Sequence, residues 1–309
     1  MWSITNTGNV EQKGTTMLKF LVSISALLVG LSLGCTNGSG GSSDHQPSSP
    51  VPVPITITAD PVIIPEIGSV NIPVLLYHQI RTDSDARLSA TGDGETVIHI
   101  ETFRAQMRWL HDNGYQALRL QEFIDVVSRR RSLTQKSVVL TFDDGWESQL
   151  QIIPTLQEVG FHAIFPVLTG PPEVDDPLYM SFADFLFLDR HVTGFDIIGH
   201  TITHPDLVLL WNSGMIDQVN SELSEPRRVL RAVLGHDINT MAFPYGSYND
   251  ALVALAQKFG YNVLFTVDPG LNTTSTSLLG IHRSVVDGRC GLSAFINAVQ
   301  TGDDAICGP

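Results

Sequence analysis

The chain has 309 residues, 43% of them hydrophobic and only 16% charged, with a formal net charge of −14. That length and apolar share can bury a full core without disulfides, in a folded unit of about 240 residues once the N-terminus is set aside. The acidic balance excludes a nucleic-acid partner, because no basic stripe is present to displace counterions from phosphate.

In chain order, residues 17–35 read MLKFLVSISALLVGLSLGC. A Lys follows a possible internal start at Met17, and the apolar run that comes next is short for a membrane span, which is the layout of an export signal. The ending at Cys35 resembles the bacterial lipoprotein box, in which the Cys becomes the lipidated first residue, although Ser32 stands where a leucine is usual. Residues 1–34 are therefore expected to be a signal segment and Cys35 a lipid anchor, which makes the membrane a partner and the cell envelope the location. A signal cut nearby without lipidation is the alternative. The Gly/Ser/Pro stretch over 35–70 cannot bury a core and reads as a flexible linker, leaving 71–309 as a single domain.

From there short apolar runs alternate with helix-period segments. PVLLY (73–77) predicts a strand, and 103–114 a helix with Phe103, Met107 and Leu110 on one face and Gly114 as its stop. A helix from Gln121, a strand over 137–142, a helix over 148–159 ended by Gly160 and a strand over 163–168 follow. Next come a helix over 181–190, the strand 195–199, a long helical segment 213–234 interrupted at Pro226, the strand 240–244 and a helix over 250–259. Strands over 262–267 and 280–286 and a helix over 292–299 close the chain. Repeated β-α units with continuously apolar strands predict a parallel sheet wrapped by helices, and seven or eight units predict a barrel.

In such a fold polar groups collect at the C-terminal ends of strands. The predicted ends carry Tyr77-His78, Asp143-Asp144, His200, Pro244-Tyr245, Asp268 and Arg283. Successive residues leaving a strand point in different directions, so adjacent Asp143 and Asp144 suit two roles, one binding a cation and the other handling a proton. In HTITH, His200 and His204 stand four apart, a separation that can bring two imidazoles to one ion and leave positions open for water and substrate. Cys290 and Cys307 are expected to form a disulfide clamping the last helix, with two buried thiols as the alternative.

These residues resemble a family, the polysaccharide deacetylases (the NodB-homology group, carbohydrate esterase family 4). TFDDG (141–145), HTITH (200–204) and AFPYG (242–246) match its three motifs in order, and the similarity extends over about 71–300. The resemblance implies an irregular α/β barrel of the (β/α)7 type and removal of N-acetyl groups from an N-acetylglucosamine-containing polysaccharide. It implies Asp144, His200 and His204 as ligands of a divalent metal and Asp143 as the general base. It also implies an oxyanion site at Pro244 and the backbone N–H of Tyr245. Zn²⁺ suits two His and a carboxylate best, and Fe²⁺, Co²⁺ or Ni²⁺ also fit.

Two departures from the common pattern stand out. The Arg that often precedes the third motif is missing from Asn239-Thr240-Met241-Ala242, and Arg283 is the candidate replacement, with a surface charge as the other reading. The general acid is either His282 or His78. The chain as a whole is similar to the branch that includes deacetylases of exported poly-N-acetylglucosamine, and this favours His78. Tyr77, Trp146 and Tyr248 are candidates for stacking on sugar rings or for packing. Asp268 is a candidate for sugar binding or a turn residue. An O-acetyl esterase, another C–N amidase and a non-catalytic glycan-binding protein are the alternative functions on this scaffold.

Overall fold

A computed structural model describes residues 70–82 and 96–307. The expected signal segment, Cys35 and the linker up to residue 69 lie outside the described residues, so the export and lipid-anchor expectations find no structural counterpart here. The strands are β1 (Val74–Tyr77), β2 (Gln79–Arg81), β3 (Val97–His99), β4 (Tyr115–Ala117), β5 (Lys136–Phe142), β6 (Ala163–Val167), β7 (Phe195–Gly199), β8 (Thr240–Ala242), β9 (Val263–Phe265) and β10 (Ser284–Val285). The helices are α1 (Ile100–Asp112), α2 (Leu120–Val127), α3 (Ile153–Val159), α4 (Gly170–Glu173), α5 (Phe182–His191), α6 (Leu207–Asn212), α7 (Ile216–Leu234), α8 (Asp250–Lys258) and α9 (Leu292–Thr301).

The main sheet runs β10-β1-β5-β6-β7-β8-β9 with every pairing parallel, and β4 adds to the first half of β5. A bridge between Phe265 and Ile281 brings the chain leaving β9 back beside it just before β10. The result is a curled sheet that forms an irregular barrel surrounded by helices, as the alternation of apolar runs and helical periods predicts.

Side-chain alternation sorts the sheet into two faces. Val74, Val139, Ile164, Ile198, Ala242, Phe265 and Ile281 pack together inside the curl, over α2 residues Phe123 and Val126. Leu75, Tyr77, Val138, Leu140, Phe142 and Phe165 face the outer helices, where Tyr77, Phe142 and Phe165 form a stacked row. Each such aromatic pair adds roughly 0.5–1.5 kcal/mol beyond its buried area.

Local signals explain most helix ends. Ser181 and Asp184 form a reciprocal cap on α5, Asp206 caps α6 through the Val208 and Leu209 N–H groups, and Gly160 ends α3 in the left-handed conformation. Three expectations needed correction. The segment 213–234 is not interrupted at Pro226: α7 runs through it, and the break falls between α6 and α7. The helix expected at 148 begins as a 3₁₀ turn over Glu147–Ile152. The strand expected over 280–286 shrinks to β10, because Ile281 pairs with β9 while Ser284 pairs with β1, so no single neighbour offers it a continuous ladder. The short parallel pair β2-β3 was not anticipated.

Cys290 and Cys307 form a disulfide with Cα atoms 5.5 Å apart, closing a loop that contains α9.

Candidate metal and catalytic site

Asp143 and Asp144 leave β5 at the end of an almost wholly buried strand. Asp143 continues the inward-facing series Val139, Thr141, and is only 2% exposed. Asp144 breaks the series with a φ of 75°, and Gly145 follows at 79°. A carboxylate side chain tolerates the left-handed region better than most, but the second position is crowded. A Cβ on Gly145 would lie 3.3 Å from Val167, a tight contact, and the positive φ itself favours glycine there. This double turn sends the second carboxylate across the mouth of the curl instead of back toward the helices.

His200 follows β7 directly and is buried. His204 comes back to it through a tight turn in which Thr201 has a φ of 73° and His204 of 61°. Thr201 Oγ1 accepts the His204 N–H, so Thr201 shapes the turn. His200 Nε2 lies 3.4 Å and His204 Nε2 3.5 Å from Asp144 Oδ1. All three potential ligand atoms fall within 4.8 Å of one another.

The donor set suits a cation. Four ligands around an ion at about 2.1 Å in tetrahedral array stand about 3.4 Å apart, close to the observed spacings. Asp144 Oδ1 is buried without a hydrogen-bond partner, while Oδ2 accepts from Trp146 Nε1 at 2.8 Å. A buried carboxylate oxygen facing two imidazole nitrogens and nothing else needs a positive charge beside it. His200 Nδ1 lies 2.9 Å from the Ala242 carbonyl, which only accepts, so the proton sits on Nδ1 and Nε2 is the nitrogen available to an ion.

The electrostatics point the same way. Burial alone would raise the Asp144 pKa, but His200, 3.4 Å from Oδ1, with His78 and His204 adding to it, holds it well below the usual carboxylate range. Burial works to lower His200, yet the charges of Asp143 and Asp144 outweigh it and raise that imidazole above its ordinary value. His204 is pushed down to about 4, by burial first and then by His200. Two carboxylates thus face the same imidazole, and both favour a positive charge at this point.

Arg283 is fully buried, which removes the surface-charge reading. Its guanidinium donates to Asp143 Oδ1 at 2.7 Å, to the Thr266 carbonyl at 2.7 Å and to Thr141 Oγ1 at 3.3 Å. It does not end a strand: it immediately precedes β10, and its long side chain reaches inward along the curl. Asp143 Oδ2 is left facing His200 Nε2 at 3.7 Å.

His78 follows β1 and lies close enough to influence both Asp144 and His204. His282 does not join this group. It lies between inward-facing Ile281 and Arg283, so in an extended segment its ring points the other way, and it packs against Gly270 while its backbone pairs with Asn272. Pro244 and Tyr245 form a 3₁₀ turn after β8, with Tyr245 at a φ of 57°. The Tyr245 N–H donates to no group among the described residues, and its ring, 66% exposed, meets His204 edge-on at 4.4 Å.

The aromatic candidates separate. Tyr77 is core, stacked on Phe142 and bonded through its hydroxyl to Gln106, so it cannot reach a sugar. Trp146 stacks on Tyr179 with centroids 4.3 Å apart, and both line an open groove of about 560 Å³ with Pro171, Ile202 and His204. Tyr248 packs on Phe243, and its hydroxyl donates to Asp268, which lies beyond the end of β9. Two positions escaped the sequence reading: Gln149, whose Nε2 ties together the carbonyls of His78 and Asp143, and Glu222 on α7. Glu222 had a visible signal, an acid set within the apolar stripe Val219, Leu223, Pro226, Leu230. Gln149 had none.

Comparison with known proteins finds similarity to polysaccharide deacetylases. Residues 130–264 match the family model described as polysaccharide deacetylase. A Bacillus subtilis protein, YxkH, described as a polysaccharide deacetylase, is 27% identical over 225 residues, covering 72% of this chain and 74% of that one. The poly-β-1,6-N-acetyl-D-glucosamine N-deacetylase of Escherichia coli is 24% identical over 241 residues, which is 66% of this chain but only 36% of that protein. Among solved structures, the Streptococcus pyogenes deacetylase PplD in complex with acetate superposes with a TM-score of 0.66 at 24% identity, covering 75% of this chain and 99% of that one.

Proposed function

We propose that the chain belongs to the polysaccharide deacetylase family, whose model matches residues 130–264, and that it is a metal-dependent hydrolase that removes N-acetyl groups from an N-acetylglucosamine-containing polysaccharide at the cell envelope. One observation carries the reading: Asp144, His200 and His204 converge on one point with a second carboxylate, Asp143, beside them. A binding module has no use for a second, separately anchored carboxylate. The match to the E. coli poly-N-acetylglucosamine deacetylase supports the polymer, and the groove floored by Trp146 and Tyr179 offers aromatic faces to a pyranose ring. The Cys290–Cys307 disulfide supports an oxidising compartment, in keeping with export and anchoring through Cys35.

Asp144, His200 and His204 hold the ion, of which Zn²⁺ suits the donor set best and Fe²⁺, Co²⁺ or Ni²⁺ are the alternatives. When bound, such an ion supplies Lewis acidity, lowering the pKa of a water and polarising a carbonyl. The chain's own residues do the rest. Arg283 occupies Asp143 Oδ1, so Oδ2 is the oxygen that takes the proton from the attacking water. The tetrahedral oxyanion receives the unengaged N–H of Tyr245, oriented by Pro244. His78 returns a proton to the leaving amine, its backbone held in place by Gln149.

Acetate release from N-acetylglucosamine oligomers, assayed with a panel of O-acetyl esters and other amides, tests the reaction. Asp144→Ala and His204→Ala should lose zinc and turnover together, whereas Asp143→Asn should keep zinc, measured by elemental analysis, and lose turnover. A fully active Asp143→Asn protein refutes the base assignment.

A further inference from the structure

The turn that presents His204 is costly. Thr201 and His204 both occupy the left-handed region, at φ of 73° and 61°, where a non-glycine residue is strained and persists only if its surroundings over-determine it. Besides the local Thr201 hydroxyl, the structure supplies that constraint from one distant side chain. Glu222, 3% exposed on α7, accepts the Ile202 N–H at 2.7 Å and the Thr203 N–H at 3.0 Å on Oε2, and the Thr203 hydroxyl at 2.6 Å on Oε1. Elsewhere the turn is held by Thr201 Oγ1, which accepts the His204 N–H, and by main chain, through Thr169 N–H to the Thr201 carbonyl and Gly170 N–H to that of Ile202.

Glu222 makes no hydrogen bond or ion pair with His200 or His204 and stands outside the ligand cluster, so it has no place among the ligands. Its carboxylate instead satisfies the two turn N–H groups that no helix or strand provides for, and charge-assisted bonds of this kind are about twice as strong as neutral ones. A carboxylate buried on an apolar helix face is expensive unless it serves such a purpose, and Val219, Leu223 and Pro226 around it are all buried. The loop between the two imidazoles is thereby fixed before an ion arrives.

We propose that Glu222 is a positioning residue that preorganises the His200-to-His204 turn for metal, so that its main effect is on metal affinity rather than on folding. This inference rests on the ligand assignment made under the proposed function. If Glu222 acted only in stability, the folded protein would bind metal equally well without it.

The test is a competition titration of Zn²⁺ against a chromophoric chelator, using the full purified chain stripped of metal. Glu222→Gln keeps the shape but presents an amide NH₂ to donors, and should weaken zinc binding by roughly 10–100-fold. Thr203→Val removes only one of the three bonds, and should weaken it by roughly fivefold, the worth of one net hydrogen bond; it serves as the readout should the Gln variant fail to fold. At saturating zinc the kcat of both variants should approach that of the unsubstituted chain. Zinc affinities within twofold of the original in the folded variants overturn the inference while leaving the ligand assignment intact. Absence of zinc binding by the original chain instead overturns the ligand assignment, and this inference with it.

Discussion

Removing Arg283 should be among the most damaging single changes available to the chain, and the structure says why. The residue is fully buried and holds Asp143 Oδ1 at 2.7 Å, with further bonds to Thr266 and Thr141. Arg283→Met keeps most of the volume but leaves a carboxylate inside the curl with no countercharge on that oxygen. Breaking one side of a buried pair costs roughly 3–5 kcal/mol. In a domain of this size each kcal/mol moves Tm by about 2–4 °C, so the midpoint should fall by about 6–20 °C. The double variant Asp143→Asn/Arg283→Met removes both charges, and should recover a good part of that loss because the remaining amide is neutral. Calorimetry on the four proteins of the cycle, with the disulfide intact, measures it. Turnover of Arg283→Met should fall at least about 100-fold, the typical cost of a misplaced catalytic group. The reasoning is refuted if Arg283→Met melts within about 3 °C of the original chain, or if the double variant is no more stable than Arg283→Met.

Opening the Cys290–Cys307 bond by a double Ser substitution should cost about 3 kcal/mol, the chain-entropy value for a loop of this length, read as a lower urea midpoint; free thiols titrating in the unreduced protein would show the bond to be absent. Zinc binding should weaken as pH falls through the raised pKa of His200, because the proton held there by Asp143 and Asp144 must leave first. The sign follows from the direction of the shift: below that pKa the proton competes with the ion, above it the ion binds unopposed, and His204, pushed down to about 4, adds competition only in strong acid. Calorimetric titrations in buffers of different ionisation enthalpy should report proton release on binding, and none at neutral pH would contradict it. His78→Ala should lower kcat by a factor of about 10²–10⁴, as loss of a general acid does, and His282→Ala should leave kcat almost unchanged; equal effects would remove both from the chemistry.

What was legible in the sequence was local. TFDDG and HTITH each carry their chemistry within five residues, so the convergence of Asp144, His200 and His204 follows once two strands are known to be parallel. What was not legible depends on which strands become neighbours. Arg283 lies 140 positions from Asp143, and its polar surroundings on a predicted strand allowed a surface reading that only the curl excludes. Tyr77 looked like a platform at a strand end because the sequence does not say which face that end presents; with Leu75 it belongs to the helix side, and α1 supplies Gln106 for its hydroxyl. Pro226 looked like a helix stop, yet α7 continues through it because tertiary packing on a buried stripe outweighs one missing N–H.

The choice between His78 and His282 turns on the same point. A strand presents alternate residues to one face, so a slip of one position exchanges every side chain. Ser284 pairs with Leu75 and Ile281 with Phe265, and that register sends Arg283 inward to Asp143 and His282 outward to Gly270. Shifted by one, the same segment would have offered an imidazole to the site and left Asp143 without its guanidinium. The guanidinium and the imidazole at 282 are therefore mutually exclusive occupants of the interior, so under the proposed mechanism, with Arg283 holding Asp143 as base, the acid must come from another strand. His78, leaving β1 next to β5, is the histidine on the adjoining strand.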